Sequence, residues 1–173
     1  YDGEHGAIST FMRRNIYQMC KHPQGRTHVK THIYDAGISY RCIRFGKWKD
    51  AIDLPLPEDQ SLYCSLTALV HYARALGHAA LKDVSLAKQE EQLFLRAAQR
   101  VPESRRLHNN KVIDLLAIAT SMLAGEISYR EGQFENAFSC LRNAITLEDN
   151  LPYDEPWGWM QPTRHALGAL LVE

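Results

Sequence analysis

The sequence predicts an all-α fold, an α-solenoid of antiparallel helix pairs. Three observations carry that prediction. One short pattern is written twice, as Gly46-Lys47-Trp48-Lys49-Asp50-Ala51 and as Gly132-Gln133-Phe134-Glu135-Asn136-Ala137. In both, a glycine closes a helix-like stretch, an aromatic follows, and an alanine sits on the next helix. Glycine takes the left-handed position that ends a helix, the aromatic packs into the hairpin, and alanine lets the two helices approach. Apolar residues also recur at three- and four-residue spacing along most of the chain, and no segment alternates as a strand would over a useful length. Repeated helical hairpins stack into a solenoid, whose usual product is a concave binding surface rather than a reaction.

The elements follow in order along one domain, residues 1–173. A terminal helix is predicted over 5–20, with Ile8, Phe11, Met12, Ile16 and Met19 on one stripe. His22-Pro23-Gln24-Gly25 breaks it. The first pair covers 27–54: a helix from Thr27 to Phe45, the Gly46 turn, and a short helix from Trp48. Leu54-Pro55-Leu56-Pro57 stops that helix, because proline lacks the N–H and restricts the residue before it. The second pair covers 58–101. Leu62, Leu66, Leu69, Val70, Ala73, Leu76 and Ala80 trace one face of its first helix; Leu86, Leu93, Phe94 and Ala97 mark its second. Its turn at Lys82-Asp83 has no glycine, yet Val84 and Ala87 keep the offset of Trp48/Ala51 and Phe134/Ala137, so it reads as a degenerate repeat. The third pair covers 107–148. A proline-rich segment leads to a last helix over 162–173, with Pro162 in the favoured first turn.

Bulk properties bound the function. A chain of 173 residues buries roughly 70% of the surface it exposes when unfolded. No apolar run approaches the length of roughly 20 residues that spans a bilayer, so no membrane role is expected. The net charge is zero. The basic clusters Arg13-Arg14, Arg41/Arg44/Lys47/Lys49 and Arg105-Arg106 interleave few aromatics, which argues against nucleic acid as a partner. The neutrality hides an asymmetry: residues 1–50 hold nine Lys/Arg against four Asp/Glu, and residues 124–173 three against eight. Opposite ends favour head-to-tail self-association or attract a cationic partner to the C-terminal end. Cys20, Cys42, Cys64 and Cys140 lie in apolar helical patterns and read as reduced core thiols of a cytoplasmic protein, with disulfides the open alternative for an even count. The bounds at Tyr1 and at Glu173, the latter inside an apolar run, suggest a piece of a longer chain.

Residues 124–148 resemble a tetratricopeptide repeat. The spacings of seven from Gly125 to Gly132, five on to Ala137 and seven on to Ala144 match that repeat's small-residue positions. Residues 37–54 are similar less fully, and the second pair departs at its turn and its small positions. The run from Leu147 through Tyr153-Asp154-Glu155-Pro156 to Leu171 resembles a largely uncharacterised group of such proteins with a Tyr-Asp-Glu-Pro loop between the last repeats. The resemblance implies a right-handed superhelix and protein or peptide binding; it implies no chemistry and no cofactor.

Three constellations are candidate sites. Tyr153, Asp154, Glu155, Trp157, Trp159, Gln161, Arg164 and His165 can clamp a ligand by stacking, cation–π contact and carboxylate pairing; alternatively the three prolines of residues 152–162 make a rigid loop that covers the solenoid end. His28, His32 and Asp35 fall on one helix face, the spacing of helix-borne metal ligands, but Lys30 between them repels a cation, and no metal is assigned. His71, His78 and Glu126 lie on first helices, which line the groove in such arrays. The sequence therefore predicts a non-catalytic scaffold that binds a peptide or protein partner through His71, Arg74, His78, Ser121, Glu126, Ser128 and Tyr129, with Trp157 and Trp159 as anchors. The alternative is a polar pocket of His71, Glu126, Asp154, Glu155 and His165 that holds a small molecule or metal.

Overall fold

The computed structural model describes residues 42–107, 109–155, 158–159 and 161–173. The predicted helix over 5–20, most of the first helix of the first pair, Cys20, His28, His32, Asp35 and Trp157 lie outside them. The described chain is all-α apart from one tiny hairpin. It runs α1 (Trp48–Ile52), α2 (Cys64–Ala80), α3 (Val84–Gln99), β1 (Arg106–Leu107), β2 (Asn110–Lys111), α4 (Val112–Arg130), α5 (Phe134–Asp149) and α6 (Thr163–Val172).

Three turns share one hydrogen-bond pattern. Gly46 N donates to Ile43 O and Lys47 N to Cys42 O; Lys82 N to Ala79 O and Asp83 N to His78 O; Gly132 N to Tyr129 O and Gln133 N to Ser128 O. This is the Schellman closure, with a left-handed residue just past the helix end. The left-handed residues are Gly46 (φ 63°), Lys82 (φ 66°) and Gly132 (φ 78°). The turn without a glycine is thus as regular as the other two. Five residues after each left-handed position stands an alanine, Ala51, Ala87 or Ala137, and each is 0% exposed.

Small residues set how closely the helices pack. A Cβ on Gly125 of α4 would lie 2.8 Å from Leu141 Cγ and 3.1 Å from the Ala137 carbonyl oxygen of α5. One on Gly77 of α2 would lie 2.9 Å from the Trp48 carbonyl oxygen of α1. Helix α2 packs on α1 and α3, and α4 on α5; α2 also lies against α4, and α4 against α6. The core between them is built on Tyr72, Phe94 and Trp159, with Tyr72 5.8 Å from each of the other two rings.

Helix α4 is the centre of the stack. Its window of mean hydropathy 1.4 makes it long and apolar enough to cross a bilayer, contrary to the expectation that no segment approaches this. Val112, Leu115, Leu116, Ile118, Ala119, Met122, Leu123 and Ile127 are buried, because α2, α3, α5 and α6 all touch it. A helix surrounded by neighbours is apolar on all sides.

Two further boundaries differ from the sequence prediction. The third pair begins at Val112 rather than 107, because residues 106–111 form the β1–β2 hairpin, pairing Arg106 with Lys111 and Leu107 with Asn110. Two residues per strand are too few to show alternation. Helix α2 begins at Cys64 rather than just after Pro57, since the Asp59 carboxylate accepts from Ser61 N and Leu62 N and holds a turn there.

A left-handed lysine carries a steric cost that glycine lacks. Lys82→Gly should therefore stabilise the fold by about 0.5–1 kcal/mol, after glycine's larger unfolded-state entropy is subtracted. Gly132→Ala should destabilise it by about 1–2 kcal/mol. Urea denaturation of both variants checks the pair; equal shifts in the same direction would refute the shared turn geometry.

Candidate functional site

Helices α2, α4 and α6 enclose a cavity of about 820 Å³ with the segment around Trp48. Its buried floor is apolar: Leu76 of α2, Met122 of α4, Leu141 of α5 and Leu170 of α6. Spacing explains the walls. Met122, Glu126 and Arg130 are four residues apart on one face of α4, as are Leu76 and Ala80 on α2. On α6, His165, Ala166, Ala169, Leu170 and Glu173 form the facing stripe, continued just past the helix end. The rim is exposed and carries the charged Arg44, Lys82 and Glu173, with His165 beside them.

An ion-pair chain crosses one wall. Arg130 Nε donates to Glu126 Oε1 at 2.8 Å, and Arg130 Nη1 donates to Glu173 Oε1 at 2.6 Å. The guanidinium carbon lies 5.3 Å from the centre of the Tyr129 ring. Burial pushes the Glu126 carboxyl above the ordinary carboxylate range, and the Arg130 charge and hydrogen bond offset this only in part. The Arg130 hydrogen bond holds the exposed Glu173 carboxyl low against a smaller desolvation effect, and the charges of Arg130 and Lys82 help.

Of the predicted site residues, Glu126, Gln161 and His165 line this cavity. The predicted first-helix residues otherwise face into the helix pairs. His71 Nδ1 is 2.6 Å from Glu90 Oε2 of α3, and Arg74 lies 3.7 Å from the same carboxylate while donating to the Leu54 carbonyl. His78 is half-buried and acts on Glu90 through its charge. Ser121 Oγ accepts from Asn143 Nδ2 at 2.9 Å, and Ser128 Oγ from Asn136 Nδ2 at 2.8 Å. Tyr129 stacks edge-on against Phe134 at 5.1 Å. The reason is geometric: in an antiparallel pair the partner helix takes the face on which these residues lie, and 3.6-residue periodicity alone does not say which side the partner occupies.

The proline-rich loop is likewise part of the packing. Trp159 is no exposed anchor: it is 1% exposed, and its Nε1 donates to Met122 Sδ at 3.1 Å. Gln161 accepts from the Tyr72 hydroxyl at 3.0 Å. Asp154 is buried and accepts from Asn109 N at 3.2 Å and Asn110 Nδ2 at 3.0 Å, which ties the loop to the β1–β2 hairpin. The Tyr153 hydroxyl donates to Glu155. Arg164 pairs bidentately with Asp149, at 2.8 and 2.7 Å, instead of with Asp154 or Glu155. The five residues of the alternative polar pocket therefore separate: His71 joins Glu90, Asp154 the hairpin and Glu155 Tyr153, while Glu126 and His165 face the cavity. Among the described residues, no three His, Cys, Asp or Glu side chains are grouped to hold a metal ion.

The sequence prediction missed Lys82, Arg130, Arg44 and Glu173. One signal was legible, a lysine where the two matching turns carry glycine; another was the Glu126–Arg130 spacing, which pairs two charges along a helix.

No family model matches the chain, and no match was found among curated proteins or solved structures.

Two outcomes follow. Trp159→Ala should cost about 3–5 kcal/mol of stability, the scale for emptying a large buried aromatic site; a variant as stable as the parent in urea would contradict the buried placement. At Glu90, burial raises the carboxyl, but the His71 hydrogen bond and the charges of His71, Arg74 and His78 prevail and hold it below its ordinary value. A carboxyl lowered by folding contributes stability at pH above its unfolded value and loses it as pH falls through the folded one. Denaturation from about pH 6 to 3 should therefore show parent stability falling more steeply than that of Glu90→Gln. Parallel curves would refute the assignment.

Proposed function

We propose that this chain is a non-catalytic helical-repeat module of tetratricopeptide type whose cavity receives a segment of a peptide or protein partner. The observation that carries the reading is the cavity itself: apolar at its floor, charged at its rim, and walled by three helices. Its volume of about 820 Å³ accommodates a few side chains of an extended or helical segment. An apolar floor supplies binding energy, and a charged rim supplies register and selectivity. The repeated turn, the alanine five residues on, and the contacts of α2 with α4 and of α4 with α6 all support the repeat-array reading.

This function is tested by panning a random dodecapeptide library on the protein and titrating the selected peptides against Ala169→Trp. Ala169 is exposed on the cavity wall, so an indole there fills the cavity without disturbing the core. Affinity should fall by about tenfold or more, equivalent to about 1.4 kcal/mol or more, while the melting temperature stays unchanged. Peptides that bind the filled variant as tightly would place recognition elsewhere.

A further inference from the structure

Lys82 is the anomaly among the three turns. Gly46 and Gly132 adopt their positive φ without steric penalty, whereas Lys82 adopts φ 66° with a full side chain. Backbone strain of this kind persists where the surrounding structure holds it, and it clusters at sites of function. The lysine brings no ion pair to the fold among the described residues. Its side chain stands exposed on the cavity rim.

A carboxylate already sits on this rim. The Glu173 side chain is half-exposed and accepts from Arg130 Nη1 at 2.6 Å, and Lys82 acts on it through its charge. Arg44 lines the same rim and, like Lys82, has no ion pair among the described residues. Three cations, Arg44, Lys82 and Arg130, thus line the cavity against two carboxylates, Glu126 and Glu173. Glu126 is committed to Arg130 within α4 and is largely buried. Glu173 is the exposed partner of the set, 47% at its side chain. If it moves away, three cations face one buried carboxylate beside an apolar floor.

We infer that this rim is a carboxylate-recognition site for an acidic peptide segment, with Glu173 holding the place that an aspartate or glutamate of the partner takes. This rests on the reading of the cavity as a peptide groove. Arg130 supplies the directed hydrogen bonds and Lys82 and Arg44 the field, while aliphatic side chains next to the partner's acidic residue fill the floor around Met122 and Leu170. Glu173 is then an internal competitor that weakens binding until a partner displaces it.

The dodecapeptides selected on the parent protein provide the probe. They should be enriched in Asp and Glu beside aliphatic residues, and Glu→Gln versions of a selected peptide should bind more weakly. Lys82→Gly and Arg44→Gln should each weaken the acidic peptide about two- to fivefold, and Glu173→Gln should tighten it by a similar factor, the range for single exposed charge pairs. Binding should weaken as salt is added. Lys82→Gly should melt no lower than the parent, so that its loss of affinity reads as a loss of charge and not of fold. Selected peptides without acidic enrichment, or an acidic peptide indifferent to all three substitutions, would overturn the proposal. If Ala169→Trp still abolishes binding in that case, the groove stands without its carboxylate site; if it has no effect, both readings fall.

Discussion

Close approach between helix backbones is the constraint on which the rest of this structure depends. Helices α4 and α5 meet where Gly125 faces the Ala137 carbonyl and Leu141, with no room for even a methyl group. The left-handed residue before each second helix sets the angle at which the chain returns, and the buried alanine five residues later lets it return at contact distance. Hairpins this tight leave their outer first-helix faces to pack on the next pair. Tyr72, Phe94 and Trp159 are buried by that stacking, and α4, which touches α2, α3, α5 and α6, carries apolar residues around most of its circumference.

The loop between α5 and α6 shows what polar groups do in such a stack. Glu148 of α5 accepts from Thr163 N at 3.1 Å and from the Thr163 hydroxyl, which places a carboxylate at the N-terminus of α6. Backbone N–H groups there have no helical partner, and the helix dipole favours a negative charge. Asp149 fixes Arg164, and Asp154 fixes the β1–β2 hairpin. The acidic excess of residues 124–173 is therefore mostly used inside the fold. Around the cavity, Arg44 and Lys82 from earlier in the chain join Arg130 and outnumber the two carboxylates that this region supplies, Glu126 and Glu173.

Backbone strain and the proposed recognition site meet at Lys82. The turn would close at lower strain with glycine, as it does twice elsewhere in the chain. A lysine there projects a charge over the cavity from a position otherwise reserved for a residue without a side chain. The Arg130 pair with Glu173 joins the end of α4 to the residue that follows α6, so the same contact that braces the cavity wall occupies its best hydrogen-bond donor.

Within the described residues, the sequence by itself determined the helices and their turns. Gly46 and Gly132, the residue spacing to Ala51, Ala87 and Ala137, and the apolar stripes of α2 and α4 are local signals, because helix period and left-handed closure depend on near neighbours. Tertiary structure decided which face of each helix meets which partner. His71, Arg74, Ser121, Ser128 and Tyr129 were legible as helical residues of a first helix, but their direction depends on where α3 and α5 lie. Trp159 reads from its sequence as an exposed aromatic anchor, and it is buried only because Met122 and Tyr72, distant in the chain, close over it. The cavity is not local at all: α2, α4 and α6 wall it, α1 and α5 each add a lining residue, and Glu173, Arg130 and Lys82 converge through packing that no short-range pattern encodes.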